Sequence, residues 1–237
     1  MRSTFKLSTV CLIGILMHFT SCVHYYYAPN AQNVPLLKEK NDTKLLVAVS
    51  GGDEFTGFEA QFSRAVTDKI GVMANFIAGG GSEESNNESG SGLLFEIGAG
   101  YYKPIGQKFV FEAYGGIGYG GVKNKYKPET SKVNFTRFFV QPSFGFTTRG
   151  FEIALSSRIA GLNYHSITSS SQIYDIEYIK DHKFSVLFEP ALTIRGGWDK
   201  VKLQLQYVLS ENWNNPGLSQ ERSNFNLGLY FNIGPGK

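Results

Sequence analysis

Cysteine is scarce: the 237-residue chain has two, Cys11 and Cys22. That excludes a disulfide framework and a paired-cysteine metal site. No long segment carries a 3.6-residue apolar stripe, so a helical bundle is excluded. There is no glycine loop followed by Lys-Ser/Thr and a helix, and no His-Glu-x-x-His, so neither a nucleotide, a metal nor any other cofactor is expected. Charge of one sign is also lacking. The formal charge is +3, and without Arg2 and Lys6 it is +1, which gives no argument for a nucleic-acid partner. Glycine, by contrast, is plentiful at 27 residues, and aromatics make up 14%.

The N-terminus has a recognisable order. Arg2 and Lys6 precede an apolar run from Leu7 to Met17, followed by Phe19-Thr20-Ser21-Cys22. A positive start, a short apolar stretch and small residues before a cut are what a secretory signal requires. The run is too short to span a bilayer as a helix, which takes about 20 residues. The segment resembles the lipobox of bacterial lipoproteins, with Phe19 standing where that pattern prefers Leu. The resemblance implies removal of residues 1–21 and acylation, palmitate included, at Cys22. Cys11 leaves with the signal, and lipid attachment accounts for the odd cysteine that remains. The alternative is an ordinary signal cleaved elsewhere, leaving a free thiol.

Residues 22–43 show no period. They carry Tyr25-Tyr26-Tyr27, Pro29, Asn30, Asn33, Pro35 and Lys38-Glu39-Lys40, and the prolines block regular structure. The stretch reads as a lipidated tether or as a docked segment, and the tyrosine triplet suits a membrane interface or a plain linker.

From Lys44 to the end the period becomes two. Val201-Lys202-Leu203-Gln204-Leu205-Gln206-Tyr207 and Phe225 to Ile233 alternate most clearly, which places one set of side chains on one face of a strand. Ten strands are expected, near 44–51, 56–66, 69–80, 92–103, 107–122, 133–147, 150–164, 182–195, 199–210 and 222–234. Short connections at 66–69, 103–107, 147–150 and 195–200 alternate with longer polar ones at 81–91, 123–132, 165–181 and 211–221. The short 51–55 connection falls at the long-loop end. An up-and-down antiparallel sheet puts all the short turns at one end. The fold class expected is therefore all-β, a transmembrane β-barrel occupying residues 44–237, with both chain ends on the short-turn side.

The two faces differ in chemistry. Phe58, Phe62, Phe95, Ile97, Phe111, Phe138, Val140, Leu155, Leu192, Leu205 and Leu229 share the outward parity, whereas Glu59, Glu96, Glu112, Arg137, Glu152, Arg158 and Glu189 share the inward one. A closed barrel pairs its backbone without a sheet edge, as lipid demands. An Arg facing lipid at mid-depth costs about 2–4 kcal/mol, so these charges belong inside. Tyr101, Phe146, Phe151, Tyr164, Trp198, Trp213 and Phe231 lie near strand ends and are expected to form interface girdles. The glycines of Gly115-Gly116-Ile117-Gly118-Tyr119-Gly120-Gly121 lie within a strand and are expected to provide curvature or lumen space.

Residues 44–234 thus resemble the small outer-membrane β-barrel proteins of Gram-negative bacteria. The resemblance implies an outer-membrane location, the lipid bilayer as one partner and the barrel assembly machinery as another. The functional reading is a structural or surface-interaction barrel whose long loops offer a site to an extracellular partner. Its lumen is expected to be closed by the charged side chains, since ten strands leave little more room than the eight that side chains fill. Three alternatives remain: a narrow pore favouring cations because five Glu outnumber two Arg, a lipid-modifying enzyme using His165-Ser166 or His182, and a soluble lipid-anchored β-barrel that binds a ligand. With Cys22→Ala the chain should persist as a longer precursor and take up no palmitate label, measured by gel mobility and acyl labelling.

Overall fold

A computed structural model describes residues 24–83, 88–126 and 128–234; Cys22 and the signal lie outside them. The chain forms β1 (Thr43–Gly51), β2 (Thr56–Ala65), β3 (Ile70–Glu83), β4 (Glu88–Ile105), β5 (Phe109–Tyr126), β6 (Glu129–Thr147), β7 (Phe151–Ser169), α1 (Tyr174–Asp181), β8 (Phe184–Gly197), β9 (Val201–Leu209), β10 (Glu211–Asn212) and β11 (Ser223–Asn232). Neighbours in sequence pair antiparallel, and β1 pairs β11 while β9 lies between β8 and β11. The result is a closed, antiparallel barrel of ten long strands. The two-residue β10 continues the pairing with β8 beyond a break at Ser210.

Alternation decides which way the sheet faces. Leu93, Phe95, Ile97, Phe138, Val140 and Leu155 are exposed on the outside, Leu155 at 65%. Glu59, Gln61, Glu96, Glu112, Arg137, Gln141, Arg158, Glu189, Gln204 and Gln206 are buried inside. This is the reverse of a soluble barrel and matches a wall in contact with hydrocarbon. Along β5 the outward apolar positions run from Phe109 to Tyr119 before Lys123 and Lys125 begin, a length that suits one tilted crossing of about 9–11 residues.

The four turns at one end, 66–69, 106–108, 148–150 and 198–200, are tight. At the other end most described residues of two expected loops, 81–91 and 123–132, turn out to be strand. Pairing continues to Glu83↔Glu88 and to Tyr126↔Glu129, so long hairpins overhang the apolar band. Beyond the bilayer neither face of a strand is required to be apolar, and the alternation that marks a strand in sequence fades there. Gly81 allows a close approach at that level, since a Cβ would lie 2.0 Å from the Glu54 carbonyl oxygen. The 165–181 connection also differs: β7 runs on to Ser169, and α1 follows. An eight-residue helix is too short to show a stripe, but its Ile176 and Ile179 are fully buried and pack with Leu218 and Tyr26 over the lumen.

The glycine run of β5 provides room inside. A Cβ on Gly116 would meet the Phe139 ring at 2.5 Å, and one on Gly120 would meet Phe135 at 2.7 Å. Leu155→Arg on the outer wall should destabilise the barrel by about 2–4 kcal/mol, read from the urea midpoint in lipid vesicles, whereas the same change at Tyr174 in α1 should leave the midpoint within experimental scatter.

Candidate functional site

The lumen is filled by the protein's own residues 24–42. Tyr26, Tyr27 and all of residues 29–37 are buried. The segment starts at the long-loop end, where the His24 ring lies 3.9 Å from that of Tyr126 and its Nε2 3.6 Å from a Glu88 carboxylate oxygen. Tyr26 N–H donates to the Ser219 carbonyl, and Glu221 N–H to that of Tyr27. It leaves at the short-turn end, where Asn41 N–H donates to Ala65 O and Lys38 N–H to the Asp42 carboxylate. β1 then begins. The two ends of the described chain, His24 and Gly234, therefore lie at opposite ends of the barrel. This corrects the expectation that both share the short-turn side. The tyrosine triplet likewise sits within the mouth rather than at a bilayer interface.

An extended segment without a partner strand has no ladder for its main chain, and a buried carbonyl left unpaired is costly. Here the inward side chains replace the ladder. Seven consecutive carbonyls each accept a hydrogen bond from the wall: Pro29 from Asn224, Asn30 from Arg158, Ala31 from Gln61, Gln32 from Gln206, Asn33 from Gln141, Val34 from Arg195 and Pro35 from Tyr230. Six strands contribute. The N–H groups are met by carboxylates and amides. Glu59 accepts from Ala31 at 3.0 and 3.1 Å, Gln206 from Gln32 at 2.6 Å, and Glu112 from both Leu36 and Leu37. Leu36 has φ +52°, a left-handed turn that lets both N–H groups reach one carboxylate. Gly145 leaves space for the Leu36 side chain, which a Cβ would meet at 2.5 Å.

At mid-height a buried cluster holds Asn30. Arg137 donates to Glu96 through Nε at 2.8 Å and again through a terminal nitrogen, to Asn30 Oδ1 at 2.6 Å and to the Tyr27 hydroxyl at 2.5 Å. Arg158 donates to Glu189 at 2.6 Å and to Asn30 Oδ1 at 2.9 Å, while Tyr27 donates to Glu189. Two cations face two anions, so the cluster is neutral. Lower down, Glu152 lies 2.9 Å from both Arg195 and Lys202. Glu59 and Glu112 have no ion pair among the described residues and serve the segment's backbone instead.

Glu59, Glu96, Glu112, Arg137, Glu152, Arg158 and Glu189 are all buried. Sequence reasoning missed three more, Arg195, Lys202 and Lys44, which are also buried. On the strands five inward cations therefore match the five glutamates, while Asp42, 3.7 Å from Lys44, and Glu221 are buried outside the strands. The signal was present: Arg195 shares parity with Glu189 in β8, as Lys202 does with Gln204 in β9. Of the expected interface aromatics, Tyr101, Phe151, Trp198 and Trp213 are exposed, and Phe146 and Phe231 are half-buried. Tyr164 is a correction. It is 1% exposed and packs on Phe135 in the lumen, because it shares the even parity of Glu152 and Arg158.

The histidines considered for catalysis are engaged elsewhere. His165 Nε2 lies 3.1 Å from Thr136 Oγ1, and His182 Nδ1 lies 3.0 Å from the Tyr178 carbonyl oxygen with its ring stacked on Tyr178. Neither is ion-paired with a carboxylate among the described residues. At the mouth, Glu221 accepts the N–H groups of Asp53 and Glu54, and burial raises its carboxyl above the usual range. Burial also pushes the Tyr25 hydroxyl up to about 12.

Removing one member of a buried ion cluster leaves an uncompensated charge, at a cost of about 3–5 kcal/mol. Arg137→Met should lower stability by that amount in detergent unfolding, and adding Glu96→Leu should recover part of the loss. Arg149→Ala, which breaks an exposed pair with Asp199, should leave the unfolding midpoint within experimental scatter, because an exposed pair is screened by solvent.

The fold is similar to those of solved outer-membrane barrels. An outer membrane channel from Pseudomonas putida F1 has a TM-score of 0.51 at 11% identity, over 86% of this chain and 99% of that one. The translocator domain of the autotransporter NalP from Neisseria meningitidis has a TM-score of 0.45 at 9% identity, over 81% and 87%. LpxR from Salmonella typhimurium has 0.41 at 10%, over 80% and 100%. No protein-family model and no curated protein matches the chain. At 11% identity the likeness to the Pseudomonas channel is one of architecture, and that architecture is the outer-membrane β-barrel.

Proposed function

We propose that the protein is an integral outer-membrane lipoprotein, acylated at Cys22, whose barrel is held shut by residues 24–42 and whose long-loop end is a surface for interaction. The observation that carries this reading is the unbroken set of wall-to-segment hydrogen bonds from Pro29 to Pro35, inside a wall that is apolar without. On this reading the segment blocks a continuous water path. The barrel is then a membrane-fixed platform for α1 and the overhanging hairpins β3–β4 and β5–β6. Neither the barrel assembly machinery nor an extracellular partner is needed for the closed state. The first belongs to its insertion and the second to its exposed end.

One feature favours a second reading, a gated pore. The segment is held mainly by polar side chains, and Gln61, Gln141, Gln206 and Asn224 would be hydrated if it withdrew. With the inward charges of the strands balanced, an open lumen would discriminate weakly between cations and anions.

Planar-bilayer recording separates the states. The full chain should conduct no measurable current. A chain lacking residues 24–41 and still showing the slower gel mobility on heating that marks a folded barrel should conduct steadily, with a cation-to-anion permeability ratio within about threefold of unity. Equal conductance in both chains would end the closed-barrel reading.

A further inference from the structure

We infer that the N-terminus of this chain crosses the membrane through its own barrel, so that Cys22 emerges on the outer, long-loop side while the C-terminal strand ends on the periplasmic side. The inference rests on the outer-membrane barrel reading and adds to it the side on which the anchor lies.

The direction of the segment is the first observation. His24 is placed by Glu88 and Tyr126, at the far tips of two overhanging hairpins. Asn30 is at mid-height among Glu96, Arg137 and Arg158. Leu37 and Asn41 meet Tyr102 and Ala65 beside the tight 66–69 turn. Position in the sequence therefore falls steadily along the lumen axis. Hydrogen bonds tie it at every step from Pro29 to Leu37, so the segment cannot be turned round without breaking the whole set.

Covalent geometry gives the second step. Two residues of chain reach at most about 7 Å, and Cys22 is two residues before His24. The lumen between His24 and Asn41 takes eighteen residues to traverse. Cys22 therefore cannot return to the short-turn end. The third step is sidedness. Outer-membrane barrels have short periplasmic turns and longer extracellular loops, and here one end has four turns of three or four residues while the other has α1, the 210–222 connection and the hairpin overhangs.

The rim is uneven at that end. β1, β2, β9 and β11 have nine or ten residues, against 14–19 for β3 to β8. The wall is therefore low where the 52–55 turn and Glu221 adjoin Tyr25–Tyr27. The segment is also continuous with β1 at the opposite end. The barrel must therefore close around a chain already in place, or be threaded by one before the Arg–Glu cluster forms.

Labelling of intact cells with a membrane-impermeant maleimide tests this. Tyr174→Cys in α1 and Trp198→Cys in a tight turn, both well exposed, report the two ends. Val23→Cys reports the N-terminus. The unsubstituted chain is the control, its Cys22 being blocked if acylated. Val23→Cys should label in intact cells as strongly as Tyr174→Cys and at least tenfold more than Trp198→Cys, which should label only after permeabilisation. An epitope inserted between Val23 and His24 should bind antibody on intact cells in the same way. Labelling of Val23→Cys only after permeabilisation, together with Trp198→Cys, would overturn the inference. So would labelling of Trp198→Cys but not Tyr174→Cys in intact cells. Surface labelling of the unsubstituted chain would support the crossing while removing the acyl group. Absence of heat-dependent gel mobility would remove the barrel reading itself, and the inference with it.

Discussion

The structure turns on one requirement: a buried, extended main chain with no strand beside it must still have its carbonyls paired. Wall side chains do this one residue at a time, from Asn224 at Pro29 to Tyr230 at Pro35. That arrangement explains why the interior is rich in Gln and Asn. An amide reaches from the wall to the axis and carries both a donor and an acceptor. Gln206 uses both, donating to the Gln32 carbonyl and accepting the Gln32 N–H. The interior polarity of this barrel is thus complementary to a peptide backbone before it is complementary to water.

The buried charges follow the same logic. In isolation each arginine would be costly to bury, and a buried ion pair by itself seldom stabilises a fold. Here Arg137 and Arg158 converge with Glu96 and Glu189 on the single side chain of Asn30, which accepts from both guanidinium groups and donates to Glu96. The cluster fixes the register of the segment as much as it holds the wall together. A slip by one residue would set Pro29 or Ala31 opposite two arginines, with no side-chain oxygen to offer them.

Much of the barrel was legible because lipid imposes a simple code. Outward residues such as Phe95, Val140 and Leu155 must be apolar, inward ones need not be, and the strand period makes the difference visible. Turn positions followed, since a tight turn such as 148–150 interrupts the alternation sharply. The inward charges from Glu59 to Glu189 came from parity alone. The same parity applied to Tyr164, Arg195 and Lys202 would have placed them inside too; assigning Tyr164 by its residue type and its nearness to a strand end led to the wrong face. The N-terminal segment was not legible as a plug, because a chain surrounded by polar groups on every side has no apolar face and hence no period. The overhanging ends of β3 to β6 vanished for a related reason: beyond the bilayer neither face of a strand is required to be apolar.

Asp42 adjoins Thr43, the first residue of β1, so the plug is a ligand joined to its receptor with no linker. Its rebinding is intramolecular. An effective concentration in the millimolar range or above is usual for short tethers, and a zero-length one confines the segment to the lumen mouth even when its contacts are broken. A free peptide competing for the same wall would need to exceed that concentration, and brief opening would be followed by recapture rather than escape. Occupancy of the lumen is therefore independent of how much protein the membrane holds, and the closed state maintains itself in each molecule separately.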